Sequence, residues 1–220
     1  MTLLYPHAIM QPDVMSPGSL VKGMDSLAQV DREVSVCTDC SLFQNRSRAV
    51  PGEGPEKAEV MLIGEAPGLN EDKQGRPFVG AAGHFLEGLL ASIGLRREDV
   101  YITNTVKCRP LNNRDPLPGE MAACRKYLDR QIELISPRVI VTLGRHSMVA
   151  FLPKETITKA HGRARSVNGV TLFPMFHPAA ALHQQSLRKV IEEDIKKLPA
   201  LLQELSPSRK EGAGEQLSMF

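Results

Sequence analysis

The sequence contains no tryptophan, and only seven phenylalanines and three tyrosines supply its aromatic surface. So low an aromatic content argues against a broad stacking platform of the single-strand-binding type. The net charge is only +2, which permits contact with a polyanion without requiring it. The apolar runs fall far short of the roughly 20 residues that span a bilayer. Residues 1–20 lack the basic start and apolar core of a signal peptide. Together these absences predict a cytoplasmic protein without a membrane segment.

What the chain does contain predicts one folded domain with a tail at each end. Residues 1–30 are rich in Met, Pro and Ser and show no clear period. The stretch SPSRKEGAGE (206–215) is small and charged, a composition typical of disorder. We therefore expect a partly disordered extension over 1–30, a folded domain over 31–205 and a flexible tail over 206–220. We also expect a monomer.

Short apolar runs alternate with amphipathic segments along the middle of the chain. Four runs predict buried strands, at 59–64, 99–104, 138–144 and 169–175. Three segments predict helices, at 80–95, 118–135 and 186–205, with Pro199 kinking or interrupting the last. This alternation predicts an α/β protein whose four-stranded parallel sheet is covered on both faces.

In a parallel sheet of this kind, ligands bind at the carboxyl ends of the strands. Four segments leave those ends: GEAPG (64–68), NTVKCRP (104–110), GRHS (144–147) and FHPAA (176–180). The first, second and fourth carry the polar residues that stand out, so we expect a site built from those three. The glycine-rich stretch 64–80 carries Glu65, Glu71 and Asp72, and it lacks the Lys-Ser/Thr ending of a phosphate loop. Its glycines allow close approach to a ligand that is not an anion.

The four cysteines permit two interpretations. Cys37 and Cys40 form CTDC, while Cys108 and Cys124 stand apart from them. One interpretation is a redox pair with two ordinary buried thiols. The other, which we favour, is a metal site with four thiolates, because structural disulfides are rare in the cytoplasm. Zinc and a 4Fe–4S cluster both accept four thiolates, and the spacing does not choose between them.

Several motifs in order resemble the family-4 uracil-DNA glycosylases over about residues 37–202. They are CTDC, VPGEGP (50–55), GEAPG, RPFVG (76–80), KCRP (107–110), the fourth cysteine, a strand ending in LG (143–144) and HPAA (177–180). The resemblance implies a three-layer α/β/α sandwich and a 4Fe–4S cluster held by Cys37, Cys40, Cys108 and Cys124. It also implies base excision repair: removal of uracil from DNA, which leaves an abasic site.

The resemblance assigns roles that the chemistry of uracil makes reasonable. Asn104 would read the base, since one amide can accept from N3–H and donate to O4. Phe78 would stack on the ring, and His177 would stabilise the negative charge that develops at O2. From the residues alone, each has an ordinary alternative: an Asn that caps a turn, a Phe in the core and a His that makes a structural hydrogen bond.

Further positions follow from comparison with family-1 glycosylases, which have GQDPY where this chain has GEAPG. Their water-activating Asp falls on Ala66, which cannot act as a base, and their Tyr falls on Gly68. We expect Gly64, Ala66 and Gly68 to line the base pocket and Glu65 to touch the uracil or the sugar. Glu71 would position water or the loop, with a solvated turn as the alternative.

Outside that loop, Asn113 matches a position that the family uses near the substrate. DNA contacts are expected from cationic side chains and from Leu182, which would wedge into the base stack. The cations are Arg109, Arg163 and Arg165, together with Arg188.

The C-terminal pentad QLSMF resembles the motif that binds the bacterial sliding clamp. In that motif the glutamine and apolar residues fill a surface pocket; here they are Gln216, Leu217, Met219 and Phe220. A flexible linker before it would keep the enzyme tethered while it searches DNA.

Two other functions remain open at this point. One is a family-5-like glycosylase with wider base tolerance, against which Glu65 argues. The other is a non-catalytic Fe–S module that binds DNA at replication sites, which would need neither Asn104 nor His177. No lysine in the motifs is placed as a Schiff-base nucleophile, so we expect a monofunctional glycosylase.

Overall fold

The computed structural model describes residues 25–167 and 169–205. Most of the expected N-terminal extension and all of the expected tail, including Gln216, Leu217, Met219 and Phe220, lie outside the described residues. Helix α1, Leu27–Val36, crosses the expected boundary between residues 30 and 31. Because its Leu27 and Val30 are buried, this helix is part of the packed structure.

The sheet has five strands in the order β2-β1-β3-β5-β4. They are β1 Val60–Gly64, β2 Tyr101–Asn104, β3 Val139–Leu143, β4 Arg165–Val167 and β5 Val170–Met175. The four strands that the sequence predicted are present and mutually parallel. The expected purely parallel four-stranded sheet is wrong, because β4 adds an antiparallel edge strand beside β5. With only three residues, one of them an arginine, β4 is too short to show a period of two.

Nine α-helices lie within the described residues. They are α1, α2 Leu69–Gln74, α3 Ala81–Ala91, α4 Pro118–Ile135, α5 Arg145–Val149, α6 Ile157–Ala160, α7 Pro178–His183, α8 Gln185–Ile195 and α9 Leu198–Glu204. Helix α3 ends four residues before its expected end at 95. The segment 186–205 forms two helices, with Pro199 in the first turn of α9, where a missing N–H removes no hydrogen bond.

Strand residues alternate between two cores, one on each face of the sheet. Leu62 packs in a core with residues of α3 and α8, including Leu86 and Ile191. Its neighbour Ile63 packs in the other, with residues of α1 and α4 that include Leu128. Helices therefore cover both faces, as predicted. Within the described residues, no helix is both long enough and apolar enough to cross a bilayer.

Candidate active site at the carboxyl edge of the sheet

A cavity of about 340 Å³ opens at the carboxyl ends of β1, β2 and β5. It contains every residue that we expected to act in catalysis or to bind the base, except Gly64, which lies beneath it. Its lining is Glu65, Ala66, Pro67, Gly68, Glu71, Phe78, Ala82, Asn104, Pro110, Asn113, Arg114, His177 and Ala179.

Asn104 ends β2 and is paired in register with Gly64 of β1. Its side chain is buried, and Oδ1 has no hydrogen-bond partner among the described residues. A Cβ at position 64 would lie 2.3 Å from that oxygen and 2.7 Å from the Phe78 ring. Glycine at 64 therefore lets the Asn104 amide and the Phe78 ring approach each other over the strand ends.

Phe78 is held in an unusual backbone conformation by its neighbours. Its φ is +52°, in the left-handed region that side chains rarely occupy. Its carbonyl accepts a hydrogen bond of 2.9 Å from Arg97. The next two amides, of Val79 and Gly80, both donate to Glu71 Oε1 at 2.8 Å. These contacts fix the ring in the cavity wall, and they support the loop-positioning role for Glu71.

His177 stacks against Phe78 with ring centroids 5.6 Å apart. It forms the N-cap of α7, and its Nδ1 accepts from the Ala179 N–H at 3.1 Å. That bond assigns the ring proton of the neutral imidazole to Nε2. Burial lowers the pKa of His177 to about 4, although the nearby Glu71 carboxylate opposes the shift. His177 is therefore a neutral group with one N–H left to donate.

Glu65 lies on the cavity wall beside His146 and Asp115, two polar residues that we did not predict as part of the site. Its Oε2 is 3.8 Å from His146 Nε2, which is 3.0 Å from Asp115 Oδ2. Arg145 also contacts Asp115, at 3.1 Å. Burial raises the pKa of the Glu65 carboxyl, and the nearby His146 opposes this. The segment GRHS (144–147), which also follows a strand end, therefore contributes to the site. We had expected only the other three such segments to do so.

The loop after Cys108 forms the wall beside Asn113. Arg109 Nε donates to Asn113 Oδ1 at 2.7 Å, so this arginine holds the loop through one of its five N–H groups. Arg114, which also lines the cavity, bonds Glu120 at 2.7 Å. In the sequence, the only indication that Arg114 lines the cavity was its position immediately after Asn113 in LNNRDP.

The four cysteine thiols line one small cavity behind the segment that follows β2. Arg46 donates to Cys108 Sγ at 3.1 Å, and the Lys107 N–H donates to Cys124 Sγ at 3.3 Å. Burial raises the pKa of the Cys108 and Cys124 thiols, that of Cys124 to about 11.

The spacing of these sulfurs bears on which metal they could hold. Among the described residues, a single group of three or more His, Cys, Asp or Glu side chains has all of its ligand atoms within 4.8 Å of one another. That group is Glu65, Asp115 and His146. No three cysteine sulfurs are therefore that close. Four sulfurs at about 2.3 Å from one zinc ion would be only about 3.8 Å apart.

The other residues expected to contact DNA lie on two surfaces. Arg163 is exposed and lines a hollow with Lys159 and Lys197. Arg165 begins β4. On the other surface, Leu182 of α7 is 45% exposed and borders a hollow with Arg188, whose guanidinium lies over the Phe85 ring.

Comparisons with known proteins agree with this geometry. Residues 51–201 match the model of the Uracil DNA glycosylase superfamily. The type-4 uracil-DNA glycosylase of Sulfurisphaera tokodaii is 52% identical over 196 residues, which cover 84% of this chain and 88% of the relative. That of Archaeoglobus fulgidus is 47% identical over 84% of this chain and 98% of its own length. A type-5 enzyme of Thermus thermophilus is 38% identical, over 48% of this chain and 55% of its own length. The chain therefore belongs to the type-4 group of the uracil-DNA glycosylase superfamily.

Proposed function

We propose that this protein hydrolyses the N-glycosidic bond of uracil in DNA and leaves an abasic site. The observation that carries the proposal is one cavity that joins an unpaired amide oxygen of Asn104, the Phe78 ring and a neutral His177. An enzyme that acts on a base must take it out of the stack into such a pocket.

Recognition begins with the Asn104 amide. Its Oδ1 accepts the N3–H of uracil, and its NH₂ donates to O4. Cytosine carries an acceptor at N3 and a donor at position 4, so it would leave both groups of the amide unpaired. Phe78 stacks on the ring and limits its tilt.

In the chemical step, the bond between the sugar carbon and the base nitrogen breaks, and the electron pair leaves with uracil. His177 donates its Nε2–H to the O2 of the departing anion. A neutral donor suits this role because it is already present at neutral pH and requires no proton uptake. The positive charge on the sugar faces the carboxylates of Glu65 and Glu71. Water then adds to the sugar carbon and releases one proton to the solvent, from which the departing uracil anion takes up a proton. Ala66 offers no base, so we assign no residue to deprotonating the water.

We propose that the cysteine cavity holds a 4Fe–4S cluster. Four cysteines around one cavity, no three of whose sulfurs lie within 4.8 Å of one another, and N–H groups that donate to two of the sulfurs support this choice. When bound, the cluster ties the residues before β1 to α4 and contributes to folding. Such a centre suits the reducing cytoplasm.

For DNA binding we retain Arg163 and Arg165 as phosphate contacts, and Leu182 as the wedge. Leu182 is exposed on the helix that His177 caps, which supports its placement beside the extruded base. We retain Arg109 and Arg188 as phosphate contacts too, and Arg109 also bonds Asn113.

The test is incubation of the purified protein with a uracil-containing oligonucleotide, followed by alkali, with thymine and hypoxanthine oligonucleotides alongside. We expect strand cleavage after alkali for uracil alone. Cleavage at hypoxanthine would favour the broader family-5-like activity. No cleavage by protein that retains its iron would leave the non-catalytic DNA-binding function and reject the proposal.

A further inference from the structure

Directly behind Asn104 lies a buried lysine that the proposed chemistry does not use. Lys107 is 1% exposed. Its ammonium donates to the Asn104 carbonyl at 2.8 Å, to Thr103 Oγ1 at 2.6 Å and to Gln131 Oε1 at 2.7 Å. An ammonium has three protons, so these acceptors satisfy it completely. Because an unpaired buried charge is very unfavourable, the three bonds set the position of the side chain.

The acceptors are themselves held in place. Gln131, on α4, donates through Nε2 to the Pro51 carbonyl at 2.9 Å and to the Tyr101 hydroxyl at 3.1 Å. Thr103 donates its hydroxyl proton to the same Pro51 carbonyl at 2.7 Å. The network therefore ties the end of β2 to α4 and to the segment before β1, and it leaves Lys107 little freedom.

Lys107 also reaches the cysteine cavity on its other side. Lys107 is one of the residues that line that cavity, its backbone N–H donates to Cys124 Sγ, and Cys108 is the next residue. One residue thus contacts both the carbonyl of the base-reading asparagine and the wall of the cysteine site.

We propose that Lys107 is a positioning residue that holds Asn104 in the orientation needed to read uracil. The inference rests on the proposed function. Without the ammonium, the buried Asn104 carbonyl would lose this hydrogen bond, and the backbone that aims Oδ1 into the cavity would lose an anchor. Misplacement of a substrate-orienting group by about 1 Å can cost about 100-fold in rate.

A double-mutant cycle between Lys107→Met and Asn104→Ala tests this role, with single-turnover rates measured at saturating uracil DNA. In the Asn104 background we expect Lys107→Met to lower the rate about 100-fold. In the Asn104→Ala background we expect less than about a threefold further loss, since there is no amide left to position. Equal losses in both backgrounds would overturn the proposal, because a general structural defect does not depend on Asn104. A wild-type chain that excises no uracil would instead refute the proposed function.

Iron content, visible absorbance and DNA affinity are measured on each variant, and we expect them to match the wild type. If Lys107→Met does not fold, Thr103→Val removes one acceptor with little change of shape. We expect Thr103→Val to lower the single-turnover rate about fivefold when Asn104 is present and not to lower it in the Asn104→Ala background. Lys57→Met is the control, since Lys57 is an exposed lysine before β1, at the opposite edge of the sheet. Its rate should be unchanged in both backgrounds.

Discussion

In the proposed function, Asn104 reads the base through a polar atom that has no hydrogen-bond partner among the residues that the structure describes. A buried acceptor without a partner costs roughly 1–3 kcal/mol, and the N3–H of uracil would remove that cost. The sequence indicated Asn104 only through its motif, because the same residue could have capped a turn. What distinguishes it is its burial beside Gly64, which depends on the pairing of β1 with β2.

We predict that Asn104→Ala lowers the excision rate by about 100-fold, since two hydrogen bonds of roughly 1–1.5 kcal/mol each are lost. DNA affinity should change by less than about twofold, because phosphate contacts supply most of it. Single-turnover kinetics and a binding titration measure the two effects. A near-normal rate would remove Asn104 from the pocket.

His177 should make stability depend on pH. Its pKa is about 4 in the folded protein and about 6.5 in an unfolded chain, so only the unfolded chain takes up a proton between these values. The contribution of the neutral His177 to the free energy of unfolding is therefore complete above about pH 6.5 and is lost as the pH falls towards 4. We predict that the free energy of unfolding falls more steeply over this range in the wild type than in His177→Asn. Parallel curves from denaturant titrations would contradict the burial argument.

At the scale of elements, the loop between β1 and α3 owes its shape to contacts made after the chain has folded. Arg97 and Glu71 hold the two ends of the Phe78 turn, and Gly83 of α3 lies against it. The glycines of this loop could be seen in the sequence, but the left-handed Phe78 could not, since a phenylalanine gives no local sign of that conformation.

Two glycines of α3 provide a matched pair of substitutions. A Cβ at Gly83 would lie 1.9 Å from the Phe78 carbonyl oxygen, whereas a Cβ at Gly88 meets nothing within 4 Å. We predict that Gly83→Ala lowers the free energy of unfolding by about 1–3 kcal/mol and lowers the excision rate by moving Phe78. Gly88→Ala should raise stability by about 0.5–1 kcal/mol and leave the rate unchanged. Thermal melts and a rate assay measure the stability and activity of both variants. If Gly88→Ala were the more damaging of the two substitutions, this account of the turn would be refuted.

The four parallel strands were predictable because each is a short apolar run, and two of these runs end at a glycine. Strand β4 was not, because three residues with a polar middle carry no periodic signal and pair only once β5 is in place. Helix α3 was extended too far because Ile93 and Leu95 continue its apolar spacing, although they pack against the core from the turn that follows.

For the whole molecule, the cysteine cavity joins parts of the chain that are far apart in sequence. Cys37 ends α1, Cys40 precedes a 3-10 helix at Ser41–Gln44, Cys108 follows β2, and Cys124 lies in α4. A group bound there would connect the N-terminal helix to the active-site edge.

We predict that the purified protein is brown, with iron and acid-labile sulfide in equal amounts. Cys124→Ser should lose iron and lower the melting temperature by at least about 5 °C, because metal-binding energy contributes to folding. Metal analysis and calorimetry measure these quantities. A colourless protein that contains zinc would contradict the assignment.

The C-terminal pentad stays a prediction from the sequence. Deletion of 216–220 should abolish capture by the bacterial sliding clamp and leave excision from a short oligonucleotide unchanged, since the tail acts by tethering. A pull-down with purified clamp and a rate assay test this. Undiminished clamp binding after the deletion would refute the motif.

The sequence by itself determined the family and the alternation of strands and helices, and it indicated the residues that we propose to read the base and to hold the cluster, because these are properties of residue type and order. Only the tertiary structure decided that Asn104 Oδ1 is unpaired, that burial lowers the pKa of His177, that Glu65 faces His146 and Asp115, and that Lys107 donates to the Asn104 carbonyl. Each of these depends on burial and on distances between residues remote in the chain, and neither quantity exists until the sheet has formed.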